Sequence, residues 1–390
     1  RARWTDVSDL LRPDDQRALR QMAEPERAAV VRRLWWLADP RWDDTANDRL
    51  TEHYARWTMH LIQHRARQVD RTAWRDDTRE IVVRYGWFTA WERYQPLFYG
   101  SSGDGLVSYN DPRTWEWLPP LSGVRAPHTL RGDEWPLVEE APTATRYAPE
   151  YVSRVLSLPH QLAVFPRPEG AVLVAGYAIE PDSLPANFSL HASAVAMADV
   201  DGARAVSPWQ PTAASGAFRL ELPGHPAVVS LEVREDSARL FARVRRGVEW
   251  DAAARVSDLL LLAHPEARPE SLDEAARIAR GSEVVAPGEQ VGVFWEMYDV
   301  PAGDSVTVRV GLVAPRAGWG RRQLESLGVV RGARHVRMGW REAGEGERIA
   351  ARSIAIGIPG DLRPGAYTLE LTVSAPGRPG ATARRTIVVR

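Results

Sequence analysis

Cysteine is absent from the 390 residues, which excludes disulfides, thiolate nucleophiles and Cys-based zinc or iron–sulfur centres. Lysine is absent as well, so all 50 basic residues are Arg. Arginine brings planar, bidentate pairing with carboxylates, although a very GC-rich genome produces the same bias without selection for that chemistry. Charge of either sign is not in excess: the net charge is −1, so no global field draws in nucleic acid or an anionic membrane. Long hydrophobic runs are missing too. The stretch Leu259–Ala263 is among the longest and is far too short to cross a bilayer. Neither a Walker A loop nor a dinucleotide fingerprint occurs.

The sequence opens at Arg1 without Met or tag, the start expected after removal of an upstream signal segment. The location expected on that basis is periplasmic, or at an extracytoplasmic membrane surface. Apolar residues make up 44% and charged residues 26%, the proportions of a folded chain, and the length calls for two or three domains.

The first hundred residues read as helical. Arg12-Pro13-Asp14-Asp15 is a helix start with acids in its first turn. Apolar spacing continues through Leu19, Met22, Val30, Leu34 and Leu37, and Asp39-Pro40 ends it. A second helix is expected from Asn47 to about Val69, with Leu50, Tyr54, Trp57, Leu61 and Ile62 on one face. Ile81 to Tyr85 is β-branched, is bounded by Gly86 and reads as a strand or extended segment. Residues 100–147 contain Ser101-Ser102-Gly103-Asp104-Gly105, Pro119-Pro120 and Pro127, and read as a long irregular segment. Eleven of the 16 Trp lie in the first 135 positions, where they serve either a core or an interface.

From Gln161 the hydrophobic period becomes two. Strands are expected at Leu162–Phe165, Val172–Ile179, Phe188–Ala198, Phe218–Leu222, Val228–Val233 and Leu240–Val244. A bridge with helical character runs through Leu259–Leu262 and Leu272–Ile278, and strands resume from Val291 to Val389. The two β regions look like copies. Val172 to Pro181 parallels Val293 to Pro301, Phe218 to Gly224 parallels Ile354 to Gly360, and Leu231-Glu232-Val233 matches Leu369-Glu370-Leu371. Leu362-Arg363-Pro364-Gly365-Ala366-Tyr367 has the form of a tyrosine corner. The expected fold class is α+β multidomain: a helical Trp-rich N-terminal domain followed by two Ig-like antiparallel β-sandwich domains. The expected boundaries are 1–99 (helical), 100–147 (irregular), 148–250 (sandwich 1), 251–282 (bridge) and 283–390 (sandwich 2).

Trp36, Asp39-Pro40, Asn47, Tyr54, then Trp74-Arg75-Asp76-Asp77 and Arg84-Tyr85-Gly86 together resemble the GWxTD-domain proteins over roughly residues 30 to 90. That family shows an aromatic–Asp-Pro–Asn-Glu helical run, the name motif and a strand ending in Tyr-Gly. Here Ala73 replaces the motif Gly, Asp76 its Thr, and Asp48 the usual Glu. The resemblance implies a bacterial exported protein in which β-sandwich regions follow, and it lends no reaction.

Candidate chemistry is sparse. His60 and His64 stand one helical turn apart, with His53 farther back, but no HExxH accompanies them. Asp39, Asp43, Asp44, Asn47 and Asp48 cluster without calcium-loop spacing, and an N-cap at Asn47 or Asp48 explains part of the cluster. Asp76-Asp77 and Glu345 to Glu347 read as solvated turns. Gly100-Ser101-Ser102-Gly103 is one residue short of a nucleophile elbow. Arg245-Arg246, Arg321-Arg322 and Arg384-Arg385 read as solvated basic pairs. No catalytic, cofactor-binding or metal-binding residue is nominated.

The function expected is therefore a non-enzymatic extracytoplasmic scaffold or accessory subunit. It would dock on other protein subunits of a larger membrane complex, respiratory or photosynthetic for example, through Trp115, Trp117, Arg131 and Trp135. No nucleic-acid partner, cofactor or membrane span of its own is expected. Two rivals stay open. A carbohydrate- or cell-wall-binding module requires an exposed platform at Trp209, Trp295, Trp319 or Trp340. An enzyme requires a deep pocket between the helical domain and sandwich 1, with perturbed acids near Asp76, Asp77 or His60.

Overall fold

The computed structural model describes residues 6–66, 76–94, 105–110, 113, 115–132, 135, 137, 145–222, 224–313, 334–344 and 346–390. Trp74, Arg75, the stretch from Gly100 to Gly103, Trp319, Arg321-Arg322 and Glu345 lie outside them. The chain is mostly β, with 40% strand and 22% helix. It divides into two compact units that interleave in sequence: residues 1–157, 187–202 and 228–247 form the first, and the remainder forms the second. The expected 148–250 block is thus shared between the units.

The helices are α1 (Pro13–Gln21), α2 (Glu24–Ala38), α3 (Asp48–Arg65), α4 (Asp76–Tyr85), α5 (Leu121–Arg125) and α6 (Leu272–Arg277). The first strands are β1 (Phe88–Tyr94), β2 (Gly105–Asn110), β3 (Arg154–Val155), β4 (His160–Arg167), β5 (Gly170–Ala178) and β6 (Leu190–Met197). They are followed by β7 (Arg204–Thr212), β8 (Ser215–Leu222), β9 (Ala227–Glu235), β10 (Leu240–Val248), β11 (Leu260–Leu262) and β12 (Val284–Val285). The last are β13 (Gln290–Tyr298), β14 (Ser305–Val313), β15 (Arg334–Ala343), β16 (Ile349–Gly357), β17 (Gly365–Ser374) and β18 (Ala381–Val389).

In the first unit the expected helical run through Leu19 to Leu37 is two helices. Pro25 occupies the first turn of α2, where its missing N–H has no intrahelical partner to lose, and the chain turns at Met22-Ala23. Helix α2 is buried on every side from Leu34 to Ala38 and stops before Asp39-Pro40. Asn47 caps α3, its side-chain oxygen accepting from the Leu50 N–H at 2.8 Å. The segment expected as a strand at Ile81 to Tyr85 is instead the end of α4. Asp76 and Asp77 favour the positive end of that helix. Gly86, at φ +84°, ends it in the left-handed conformation that glycine adopts freely. Strands β1 and β2 form an antiparallel hairpin pair where helix and irregular chain were expected. Below the helices lie four strands in the order β3-β10-β9-β6, with β3 parallel to β10. Val195 and Val228 of that sheet share one core with α2, α3 and the 118–135 segment.

The second unit carries the three-stranded sheets β4-β5-β8 and β11-β13-β16 and the five-stranded sheet β12-β18-β17-β14-β15. The last two enclose one core, in which Trp295, Val308, Leu371 and Ile387 meet. The expected duplication is visible as topology: β11-β13-β16 repeats β4-β5-β8, and β12-β18-β17-β14 repeats β3-β10-β9-β6. Leu260–Leu262, expected as helical, is strand β11 pairing with Gly292 to Phe294. A short, fully apolar run has no period of its own, and an available strand edge decides its form.

Tyr367 donates its hydroxyl hydrogen to the Arg363 carbonyl at 2.9 Å. Tyr367→Phe is expected to lose roughly 1 kcal/mol of second-unit stability, the usual net worth of such a bond. Urea unfolding at unchanged m-value checks this, and an unaltered midpoint refutes it.

Candidate functional site

Helix α3 turns its polar side inward. Arg49 and His53 are 0% exposed, and Arg56, Trp57 and His60 are at most 7% exposed, whereas Ile62 is 56% exposed. The buried residues recur at i, i+4, i+7 and i+11, the stripe of one helical face. Arg56 is fully occupied: it bonds Glu52 at 2.6 Å and donates to the carbonyls of Val83, Arg84 and Arg146.

Opposite the end of α2, β9 and β10 contribute a second buried set. Glu232 and Arg245 alternate inward on adjacent strands, with side chains 0% exposed, and pair at 3.4 Å. Ser230 Oγ donates to Glu232 at 2.7 Å and accepts from Arg245 Nε at 3.1 Å. The Trp42 backbone N–H donates to the same carboxylate at 3.1 Å. Arg245 also bonds the Leu37 carbonyl and lies 4.1 Å over the Trp42 ring. Arg243 donates to the Asp39 carbonyl at 3.2 Å and is held between the Trp117 and Trp135 rings at 4.9 and 4.7 Å.

Burial dominates the electrostatics. It pushes Asp39 up to about 8, against the opposing pull of Arg245. It also raises Glu232, again opposed first by Arg245. Burial lowers Arg243 and brings Arg245 down to about 10. His53 falls to about 3, through burial first and then the nearby Arg49. Tyr151 donates to Asp48 at 2.8 Å, with the Arg41 guanidinium 4.7 Å over its ring. Glu232, Arg243 and Arg245 answer one another, Ser230 and the backbone of α2 and the following turn, so this cluster joins helix to sheet within the first unit, whereas both His53 ring nitrogens have no hydrogen-bond partner.

Other sequence candidates are placed elsewhere. Trp115, Trp117 and Trp135 are at most 6% exposed and belong to the interior of the first unit. Of the four residues expected to dock a partner, only Arg131 faces solvent. Asp44 accepts from the backbone of Thr45 and Ala46, and Asn47 is the α3 cap. Among the described residues no three His, Asp or Glu side chains converge to hold a metal ion. The His60 and His64 rings stand 5.9 Å apart. Asp76 and Asp77 are exposed residues of the first turn of α4, Asp76 pairing with Arg79 at 2.8 Å. Among the described residues the acids raised by burial lie at Asp39, Glu116 and Glu232 instead. Trp295 is 0% exposed, and half-buried Trp340 donates to Glu342 at 3.0 Å, so neither is an open sugar platform. The dyads Arg245-Arg246 and Arg384-Arg385 lie within strands, where alternation buries Arg245 and Arg385 and exposes or half-exposes their neighbours. Arg385 bonds the Leu259 carbonyl and Glu283, each at 2.8 Å.

The second unit presents a different feature. On the outer face of the five-stranded sheet a groove of about 520 Å³ runs over β14, β15 and β17. Gly339 and Arg309 are register partners, as are Gly311 and Arg337. The two glycines leave the groove open, and the exposed Arg309 and Arg337 rim it. Glu370, its acid, pairs with Arg384 at 2.9 Å. Strand β15 is the edge of this sheet among the described residues.

No family model matches the chain, and no curated protein does. Among solved structures it is similar to the C-terminal domain of Wzt, at 14% identity and TM-score 0.22, over 35% of this chain and 74% of that one. A family 123 glycoside hydrolase from Clostridium perfringens gives 12% identity and TM-score 0.22 over 35% of this chain. Elastase-activated alpha-2-macroglobulin of Escherichia coli gives 12% and 0.22 over 74%. The matches span only about a quarter of the last two proteins' lengths. At these TM-scores the likeness carries no argument about function. No helix among the described residues is long and apolar enough to cross a membrane.

Proposed function

We propose that this chain is a non-enzymatic docking subunit, acting on the extracytoplasmic side of a membrane complex. In this reading a GWxTD-like helical domain precedes tandem Ig-like sandwiches, and the partner is an acidic segment of another protein. The observation that carries the reading is the arginine-rimmed groove on β14, β15 and β17, which ends in the β15 edge. An extended acidic segment fits it in two ways. Its backbone adds to β15 by strand pairing, and its carboxylates take bidentate bonds from Arg309 and Arg337. Arginines along an edge also work against pairing between two copies of the same strand. The pairing of Glu232 with Arg245 and of Arg56 with Glu52 agrees with a scaffold better than with a catalyst.

The test is crosslinking mass spectrometry in gently solubilised native membranes, using carboxylate-reactive reagents because the chain has no Lys. Links from Glu342 and Glu370 to another chain are expected. The double variant Arg309→Glu/Arg337→Glu is expected to weaken them at least tenfold, which is about 1.4 kcal/mol. Equal linking by variant and wild type, or intrachain links alone, refutes the proposal.

A further inference from the structure

Arg49, Arg56, Arg243, Arg245 and Arg385 are the buried arginines among the described residues. Four of them donate to carbonyls, carboxylates or a hydroxyl. Arg49 differs. It is 0% exposed, yet neither Nε, Nη1 nor Nη2 has a hydrogen-bond partner. Its guanidinium lies 4.8 Å over the Tyr147 ring. Glu52, the acid of its own helix that acts on it, is already held by Arg56 at 2.6 Å.

The surroundings are rich in donors, and among the described residues no acceptor bonds the guanidinium: Glu52 and the half-buried Glu116 act on it only through space, and the neutral His53 ring one turn along α3 has no hydrogen-bond partner either. Trp117, 1% exposed, meets the same Tyr147 ring at 6.1 Å, and its Nε1 has no acceptor. Trp115, also 1% exposed, is in the same condition two residues earlier. Around His53, one turn along α3, Trp35 and Trp57 lie at 4.8 and 6.3 Å, and neither indole N–H has an acceptor. Guanidinium and indole groups donate and cannot accept. A water among them would satisfy two donors but would leave the buried guanidinium charge in place. A small anion accepts from several donors at once and also cancels the charge that burial penalises.

We infer that Arg49, beneath the Tyr147 ring, seats a small monovalent inorganic anion of chloride size as a structural ligand of the first unit. Complete enclosure of Arg49 excludes a large ligand and means that the ion enters as the unit folds. The site belongs to the helix–sheet interior of the first unit and is independent of the docking groove.

The test follows tryptophan-detected urea unfolding of the full chain as sodium chloride replaces sodium gluconate at constant ionic strength. Constant ionic strength holds screening fixed, and gluconate is too large for the enclosed site. Above the dissociation constant, each tenfold rise in chloride is expected to raise the wild-type folding constant of the first unit tenfold. Arg49→Met is expected to lose this dependence and to match or exceed wild-type stability in gluconate, since an apolar side chain replaces an uncompensated charge. A chloride-independent wild type overturns the inference, as does an equal chloride slope in Arg49→Met. Should Arg49→Met fail to fold, wild type alone decides. Refolding in bromide, close to chloride in size and a tryptophan quencher, should then quench the buried tryptophans saturably at constant ionic strength, and a purely linear, collisional response overturns the inference.

Discussion

Arg245→Met is expected to destabilise the first unit by roughly 3–5 kcal/mol, because it removes one partner of a buried pair and leaves the other charge in place. Glu232 would keep the Trp42 N–H and Ser230 Oγ but lose the only cation whose guanidinium touches its carboxylate among the described residues. Arg245 also contributes the bond to Leu37 and the stacking on Trp42, so the loss includes the tie between α2 and β10. The double variant Glu232→Gln/Arg245→Met should recover more than half of the deficit, since a neutral amide still accepts from the Trp42 N–H. A double-mutant cycle by urea unfolding measures the coupling. A single-variant loss below about 0.5 kcal/mol, the range of ordinary surface substitutions, would show that the pair adds nothing.

Asp39→Asn is expected to change how stability depends on pH. The folded carboxyl titrates near 8 against 3.8 for the free group, with burial as the main cause. Between those values the folded state holds a proton that the unfolded chain has released, so stability falls as pH rises from about 4 to about 8 and is flat beyond. A shift of this size corresponds to something on the order of 5 kcal/mol at the alkaline end. Asp39→Asn keeps the shape and removes the titration, so it should be stabilising at pH 8 and near neutral at pH 4. His53 acts in the opposite sense. Its value of about 3 against 6.5 makes stability rise with pH across that window, because the unfolded ring takes up a proton that the folded ring refuses. The two slopes oppose each other at acid pH, so the difference between wild type and Asp39→Asn isolates Asp39. A difference curve that is flat from pH 5 to 9 would contradict the buried, protonated carboxyl.

Strand-forming sequence was legible where alternation survives in single segments, as in β8, β17 and β18, and where a β-branched or aromatic apolar run is bounded by turn residues, as in β5 and β13. Helix starts were legible through Pro13, Asp14 and Asn47, since capping acts over three or four residues. The hairpin β1–β2 was not, because its strands earn their pairing from each other. Strand β11 was missed for a related reason, its form being decided by β13.

The candidate sites were hidden more deeply. Reading α3 by hydropathy selected Leu61 and Ile62 for burial, yet its Arg49, His53, Arg56 and His60 face went inside. The signal lay in the sequence as the i, i+4, i+7, i+11 recurrence of basic and imidazole groups. Only the tertiary structure shows what that face meets: carbonyls for Arg56 and the Tyr147 ring for Arg49. Composition and local pattern by themselves determined the helix starts at Pro13 and Asn47, most strands after Gln161, the duplication of the β region and the all-arginine basic complement, because these depend on neighbours along the chain. Which arginines are buried, which tryptophans are core and which sheet edge is presented were decided by tertiary structure alone. Burial and charge pairing depend on residues up to about two hundred positions apart, as with Leu37 and Arg245, and no local pattern records that distance.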